Sequence, residues 1–316
     1  MIQLSKESGI ELTVGNDKFK YERLEGWAKI PEGFSLGNPE SGIPSGPAGV
    51  AVDSNDRVFV FCRGNHPILI FNRDGNLVSY WGEDHFVGPH GIFIGPDDSI
   101  YLTDYQCHTV EKFTPTGKLL MRLGIRNVGM PAFLRTPFCM PTNAALGVSG
   151  EIFVTDGYAG FVVHKFSPQG TLLKTWGEWG HNPGQFAWPH GIGVDRYGTV
   201  YICDRENDRI QLFTTDGEFI TMWTDFRNPH NLHIDQKNDI IYVVESQVLA
   251  LSHQTDRSRI SILDLKGNTL SMWEGRESEG KGVLETCHDI CVDSHGDIYV
   301  AEIVDVDRIQ KFVKIS

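Results

Sequence analysis

The sequence lacks a long apolar run, and it has no surplus of basic residues. No stretch of about eighteen or more apolar residues occurs in the 316 residues, so we expect no transmembrane helix. A net charge of −13, from 28 Lys and Arg against 41 Asp and Glu, disfavours nucleic acid and anionic membranes as partners. The N-terminus carries no apolar run of signal-peptide length, so the expected location is the cytoplasm. A small molecule is the expected partner, and the oligomeric state stays open.

Paired cysteine motifs are also absent, whereas glycine is abundant. The six cysteines are scattered along the chain without a CxxC spacing, which indicates free buried thiols in a reducing compartment. The 34 glycines indicate many turns, and therefore many short strands.

Five short turns of one form recur along the chain. Each begins with Phe or Leu, continues with polar residues and ends in a glycine, and these glycines lie 42 to 53 residues apart. A glycine at this point supplies the positive φ that a tight hairpin needs. Around each turn, alternating apolar and polar residues predict four short strands, which is typical of a β-propeller blade. A β-sandwich would not repeat this unit at a steady period.

The sixth unit is incomplete, because only three strands are predicted between Asp289 and the last residue, Ser316. The segment at about residues 18–24 precedes the first blade and has no blade of its own. We predict that it supplies the missing strand and closes the ring, since an open ring leaves a bare sheet edge. The predicted fold is an all-β, six-bladed propeller. Residues 1–44 form its N-terminal segment, and residues 45–316 form the single propeller domain.

Histidine is concentrated at one position of the repeat, the corner just before the first strand of a blade. From blade 1 to blade 6 this corner holds Ala48, His90, Thr142, His190, His230 and His288. First strands line the channel of a propeller, and blades 2, 4 and 6 lie a third of a turn apart. Therefore His90, His190 and His288 are predicted to converge, as three imidazoles around Zn²⁺ or another divalent transition metal do.

The same corner has a structural interpretation, in which histidine caps a neighbouring backbone carbonyl without any metal. Ala48 and Thr142 at this corner argue that the fold itself does not require histidine. An oxygen-rich set follows the corner, formed by the carbonyl groups of Val50 and Ile92 and the carboxylate of Asp289. These ligands suit a structural Ca²⁺, although a carboxylate bonded to turn amides is the alternative for Asp289.

The second strands end near the same mouth of the channel and offer Arg63, Tyr105, Tyr158 and Arg205. Tyrosine and arginine beside a metal suggest a phenolate base and an anion clamp. Ion pairing between blades is the alternative, and we favour it for the segment that contains Arg205. Residues 124–140, 177–188 and 247–258 interrupt the blade pattern as long loops, which often cover a site. On position alone, Phe133 and Arg135 are candidates for a pocket wall.

Several motifs in register resemble one known family. The repeat units resemble NHL repeats. The similarity runs from about Trp27 to Phe312 and rests on Arg63 in CRGNH, the Pro-His-Gly corners at His90 and His190, Asp156-Gly157-Tyr158, residues 204–207 and His288-Asp289. These motifs together resemble the peptidyl-α-hydroxyglycine α-amidating lyases.

The resemblance implies a zinc site at His90, His190 and His288 and a calcium site at Val50, Ile92 and Asp289. It also implies catalytic roles for Tyr158 and Arg63. The implied reaction cleaves an N-(α-hydroxy)glycine to an amide and glyoxylate. The zinc ion would lower the pKa of the α-hydroxyl group, Tyr158 would take its proton, and Arg63 would steady negative charge.

Two positions depart from the family pattern. His230 is not expected from the animal enzymes, and it is interpreted as an additional ligand or a substrate contact. Thr286 stands two residues before His288, where the family tends to have methionine, and is assigned to the substrate pocket with Tyr105 and Arg205. A lactonase-like, metal-dependent hydrolase and a non-catalytic NHL-repeat binding scaffold remain the alternative functions.

Overall fold

Six antiparallel sheets form a ring around a central channel. The computed structural model describes residues 10–16, 18–38, 40, 44–246, 258–275, 283–304 and 306–315. Each innermost strand contacts the innermost strand of the next blade, and the last blade contacts the first. The predicted all-β, six-bladed propeller is confirmed.

The chain passes through each blade from the channel outward. In blade 1 the strands are β3 (Pro47–Val52), β4 (Val58–Cys62), β5 (Ile68–Phe71) and β6 (Leu77–Trp81). In blade 2 they are β7 (Pro89–Ile94), β8 (Ile100–Asp104), β9 (Thr109–Phe113) and β10 (Leu119–Leu123). In blade 3 they are β11 (Asn143–Leu146), β12 (Ile152–Asp156), β13 (Val162–Phe166) and β14 (Leu172–Trp176).

The second half of the ring repeats this order. In blade 4 the strands are β15 (Pro189–Val194), β16 (Val200–Asp204), β17 (Arg209–Phe213) and β18 (Phe219–Trp223). In blade 5 they are β19 (Pro229–Asp235), β20 (Ile240–Glu245), β21 (Arg259–Asp264) and β22 (Thr269–Glu274). Two short 3-10 helices lie in loops, at Ala132–Leu134 and Arg205–Asn207.

The N-terminal segment closes the ring in blade 6. This blade contains β23 (Cys287–Val292), β24 (Ile298–Glu302) and β25 (Arg308–Lys314) from the end of the chain. Strand β2 (Phe19–Leu24) pairs antiparallel with β25 and supplies the fourth strand, as predicted. Strand β1 (Ile10–Asn16) adds a fifth, which the sequence did not predict, on the outer edge of β2.

Three of the five repeat glycines, Gly117, Gly217 and Gly267, pack on a tryptophan of the preceding blade. A side-chain carbon added to Gly217 would lie 2.7 Å from the Trp176 ring, and one added to Gly267 would lie 2.6 Å from the Trp223 ring. Gly217 also has a φ of +72°, which disfavours other residues. The repeated glycine therefore serves both the hairpin and the contact between blades.

Unpaired cysteines and the absence of a transmembrane helix were also predicted from the sequence. All six cysteines are unpaired thiols, and five of them are buried, as expected. Within the described ranges, no helix has the length and apolar character needed to cross a bilayer.

Candidate metal-binding and active site

A β-bulge opens the inner strands that carry the corner histidines. Where β7 pairs with β8, the register shifts between Pro89 and Ile92, and in blade 4 it shifts between Pro189 and Ile192. A bulge turns a side chain away from its regular direction, and a proline is tolerated as the first residue of a strand. The corner thereby directs its histidine toward the axis of the channel.

Buried carboxylates hold the backbone that leads into each corner. Asp104 ends β8 and accepts hydrogen bonds from the backbone N–H groups of Val87 (2.8 Å) and Gly88 (2.9 Å). Asp204 ends β16 and accepts one from the N–H of Ala187 at 2.7 Å. These bonds fix the path of the backbone that leads to His90 and His190.

The side chains of His90, His190 and His288 meet on the channel axis. One ring nitrogen from each belongs to a set whose members all lie within 4.8 Å of one another. Their ring centroids are 4.7 to 4.9 Å apart. Each side chain is at most 3% exposed. The structure thus brings together the three residues that the sequence placed at one point.

The other ring nitrogen of each histidine is held by the next blade. Nδ1 of His90 lies 2.6 Å from the carbonyl oxygen of Thr142. Nδ1 of His190 lies 2.8 Å from the carbonyl oxygen of His230, and Nδ1 of His288 lies 2.7 Å from that of Ala48. A carbonyl oxygen only accepts, so Nδ1 carries the proton and Nε2 presents a lone pair. Capping of carbonyls, the structural interpretation, therefore accounts for one nitrogen of each ring.

Burial keeps these imidazoles neutral. It lowers the pKa of His90 and of His190 well below the ordinary value, and it lowers the pKa of His288 to about 3. The positive charges of Arg63 and Arg205 act in the same direction. Three neutral nitrogens with converging lone pairs fit a divalent transition metal, which binds the neutral imidazole.

Tyr158 lies directly at this cluster. Its hydroxyl oxygen is 2.8 Å from Nε2 of His90 and 3.2 Å from Nε2 of His190, and its single proton is donated to one of them. Gly157 allows this position, because a side-chain carbon there would lie 1.9 Å from the carbonyl oxygen of Pro189. Tyr105 packs beside it, with ring centroids 5.8 Å from His90 and 5.6 Å from Tyr158.

Two buried arginines flank the tyrosines. Arg63 donates from Nε to the Pro89 carbonyl at 3.0 Å and from a terminal nitrogen to the Pro44 carbonyl at 2.6 Å. Burial lowers the pKa of the Arg63 guanidinium, and burial raises the pKa of Tyr105 against the opposing effect of Arg63. Arg205 lies 5.7 Å above the ring of Tyr158 and forms an ion pair with Glu206 at 3.0 Å.

Three pocket candidates are placed away from the histidines or at the edge of the site. Phe133 is 82% exposed on a surface 3-10 helix. Arg135 reaches the carbonyl oxygen of Gly177 at 2.8 Å, just past the outer strand of blade 3. Thr286 is half-buried at the entrance to β23, where its carbonyl accepts the N–H of Ile303. The third predicted loop, residues 247–258, lies outside the described residues except for Ser258.

The oxygen-rich set lies one step deeper in the channel. Val50, Ile92 and Asp289 line a cavity of about 690 Å³ that continues away from the histidines. The Asp289 carboxylate accepts hydrogen bonds from the backbone N–H of Val50 at 2.8 Å and from the side-chain amide of Asn231 at 2.5 Å. Burial raises the pKa of Asp289 to about 7. With the N–H of Ile290, three amide donors bond to the Asp289 carboxylate, as the alternative interpretation expects. A calcium ion stays a prediction.

Trp188 and Asn231 belong to the site although the sequence did not single them out. Trp188 lies under the guanidinium of Arg205 at 5.0 Å and its ring is 5.8 Å from Tyr158. The sequence did contain a signal for Trp188, because this residue directly precedes the Pro-His-Gly corner of blade 4. Asn231 likewise directly follows His230, at the position that Asp289 occupies after His288.

The fold and the repeat define an NHL-repeat β-propeller. A family model described as the NHL repeat matches residues 45–71 and 186–213. The chain is a six-bladed β-propeller with NHL repeats at these two segments, and it resembles the peptidyl-α-hydroxyglycine α-amidating lyases.

Two curated relatives carry that resemblance. Peptidyl-alpha-hydroxyglycine alpha-amidating lyase 1 of Drosophila melanogaster is 32% identical over 266 residues, which is 77% of this chain and 47% of that protein. Peptidyl-glycine alpha-amidating monooxygenase of Mus musculus is 31% identical over 205 residues, which is 55% of this chain and 21% of that protein. The chain therefore spans less than half the length of either relative.

Solved structures agree on the fold. A gluconolactonase from Xanthomonas campestris has a TM-score of 0.61 at 12% identity, and the match covers 92% of this chain and 99% of that chain. At this identity the likeness concerns the propeller architecture alone.

Proposed function

We propose that this protein is a metal-dependent carbon–nitrogen lyase. Its substrate would be an N-(α-hydroxyalkyl)amide, such as an N-acyl-α-hydroxyglycine, which it cleaves to an amide and glyoxylate. The observation that carries the proposal is the Tyr158 hydroxyl group, which lies within hydrogen-bonding distance of Nε2 in both His90 and His190. Similarity to a protein named as an α-amidating lyase supports the same chemistry.

We assign the metal to His90, His190 and His288. Zinc is the ion that best matches three imidazoles and an open position. When bound there, the metal would supply the Lewis acidity that lowers the pKa of a hydroxyl group. The hydrogen bonds from each Nδ1 to a backbone carbonyl orient the rings, which is the usual way in which a protein prepares imidazole ligands.

Tyr158 is the residue that moves the proton. Tyr158 must first lose its own hydroxyl proton to solvent. Its phenolate oxygen then accepts the proton of the substrate α-hydroxyl group, and the carbon–oxygen single bond becomes the carbonyl group of glyoxylate. The carbon–nitrogen bond breaks in the same step, and the departing amide nitrogen gains one proton. The hydroxyl group loses one proton and the nitrogen gains one, so neither water nor an oxidant is consumed. Tyr158 acts as a base and then as an acid.

The two arginines suit an anionic substrate. Arg63 and Arg205 are 6% and 4% exposed, and both lie beside Tyr158. A buried guanidinium strongly favours a carboxylate, because the interaction is both ionic and hydrogen-bonded. We assign Arg63 to the negative charge that develops at the reacting centre and Arg205, held on Trp188, to the carboxylate of the substrate.

We also propose that the deeper oxygen set holds a structural Ca²⁺. The support is the position of Asp289, a buried carboxylate that faces the channel together with the backbone edge of Val50. Calcium prefers carboxylate and carbonyl oxygens. This ion would join blades 1, 2 and 6 and would take no part in the reaction.

Glyoxylate release from α-hydroxyhippurate tests the proposed reaction. The metal-loaded protein is expected to release glyoxylate and benzamide in equal amounts. Tyr158→Phe is the matched control, because it keeps the ring and removes only the hydroxyl group. Absence of glyoxylate at full metal loading would contradict the lyase. Ring opening of lactones under the same conditions would favour the hydrolase, and inactivity on both substrate classes would favour a binding scaffold.

A further inference from the structure

The fourth histidine of the channel has a ring nitrogen without a partner. His230 is fully buried, at 0% exposure, and its Nδ1 lies 2.9 Å from the carbonyl oxygen of Asn228. The proton therefore sits on Nδ1, and Nε2 is an acceptor only. Nε2 of His230 is buried without a hydrogen-bond partner. Buried polar atoms in native proteins almost always have a hydrogen-bond partner, so we expect this lone pair to bind a ligand.

His230 stands next to the three-histidine cluster. Its ring centroid is 5.1 Å from that of His190 and 5.6 Å from that of His288. Blades 4, 5 and 6 thus carry three consecutive histidines, and His90 faces them from blade 2.

We infer that His230 is a fourth nitrogen ligand of the metal held by His90, His190 and His288. The inference rests on the metal of the proposed function, although not on the lyase reaction. His230 stands outside the set of nitrogens that lie within 4.8 Å of one another, so its ring shifts inward when it binds. Four imidazoles hold a divalent transition metal more tightly than three, and substrate then enters as a fifth ligand.

The role of His230 differs from that of a substrate contact in what its removal changes. A ligand contributes to the affinity for metal in the absence of substrate. A substrate contact changes KM or kcat and leaves the metal affinity unchanged. Metal affinity measured without substrate therefore separates the two.

The test uses two variants and two references. His230→Gln keeps much of the side-chain volume and His230→Ala removes it. His233→Ala removes a histidine from the same strand, β19, where the ring packs toward Tyr242. His90→Ala removes a member of the central set. Each metal-free protein is titrated with zinc against a competing chelator, and X-ray absorption counts the bound imidazoles. Thermal unfolding of the metal-free forms shows that each variant folds.

The expected result is four imidazoles in the unchanged protein and three in both His230 variants. Their zinc affinity is expected to fall by at least about 10-fold, because removal of even a residue that only hydrogen-bonds a metal ligand costs this much. His233→Ala is expected to keep the original affinity. Three imidazoles in the unchanged protein, together with a zinc affinity that both His230 variants keep, would overturn the inference. In that case a raised Michaelis constant would make His230 a substrate contact. If His90→Ala also kept its zinc, the metal site and the proposed function would fail together.

Discussion

The channel contains two polar layers, and the second lies one residue further along the inner strands than the first. The nitrogen layer lies at the corner and consists of His90, His190 and His288. The oxygen layer lies deeper in the channel and consists of Asp289 and the strand backbone. His288 and Asp289 are neighbours in the chain, and burial favours the neutral form of both. It lowers the pKa of the histidine to about 3 and raises that of the aspartate to about 7.

The comparison teaches how a repeat builds two different sites from one backbone. Neutral imidazoles suit a transition metal, which needs lone pairs, whereas buried oxygens suit a hard cation. The corner bulge aims one side chain at the axis, and the next residue then meets the neighbouring blade. Gly91 illustrates this, because a side-chain carbon there would lie 2.5 Å from the side-chain oxygen of Asn143.

Removal of one corner histidine should have the largest effect, because it breaks the nitrogen layer. For His90→Ala we expect the zinc affinity to fall by at least about 100-fold, which is the largest loss usual for residues that only hydrogen-bond a metal ligand. Lyase activity should fall to background. Zinc titration and glyoxylate release measure both. The exposed His295 provides the control, since His295→Ala should change neither. Full metal content in His90→Ala would refute the assignment of the nitrogen layer.

Tyr158→Phe separates the chemistry from the nitrogen layer. The ring and its packing remain, but the group that moves the proton is lost. We expect kcat to fall by about 10²- to 10⁴-fold, the usual contribution of general acid–base catalysis, with metal content unchanged. Steady-state kinetics and elemental analysis of the same sample measure the two quantities. A variant that keeps its kcat would remove Tyr158 from the mechanism.

Asp289→Asn perturbs the oxygen layer alone. The new amide nitrogen would face either the N–H of Val50, or the side-chain amide of Asn231 and the N–H of Ile290. All three donors now bond to the carboxylate. One unsatisfied buried donor costs about 1–3 kcal/mol of unfolding free energy. Denaturant unfolding of metal-free protein measures this loss, and zinc affinity should change little. A large loss of zinc in a stable Asp289→Asn protein would show that the two layers form one site.

A change outside both layers should have the smallest effect. Phe133 is 82% exposed, so Phe133→Ser should alter the unfolding free energy by less than about 0.5 kcal/mol. It should also leave kcat/KM for α-hydroxyhippurate unchanged. A clear rise in the Michaelis constant would instead restore Phe133 to the wall of the substrate pocket.

The fold was predictable because its signal is periodic. Glycine turns marked each blade, and the absent strand of blade 6 pointed to the segment that forms β2. Strand β1 was not predicted, because it completes no blade and only covers the outer edge of β2. Convergence of the histidines followed from their shared repeat position. The bonds that orient them did not, since the carbonyl groups of Thr142 and Ala48 take part whatever side chain those residues carry.

The loops were the least predictable part of the site. Position in a long loop suggested Phe133 and Arg135, but the loop places both on the surface. Trp188 ends another long loop and lies half-buried beside Tyr158. The periodicity of the blades carries no information about which loop residue turns inward, because each loop follows its own path between blades.

Elemental analysis of the untagged protein, purified without a chelator, tests the central claim most directly. The nitrogen layer predicts about one equivalent of zinc or another divalent transition metal per chain, restored by zinc after removal. Calcium in the same sample would report on the oxygen layer. A protein that holds no transition metal, even after incubation with zinc and dialysis, would contradict the link between the corner histidines and catalysis.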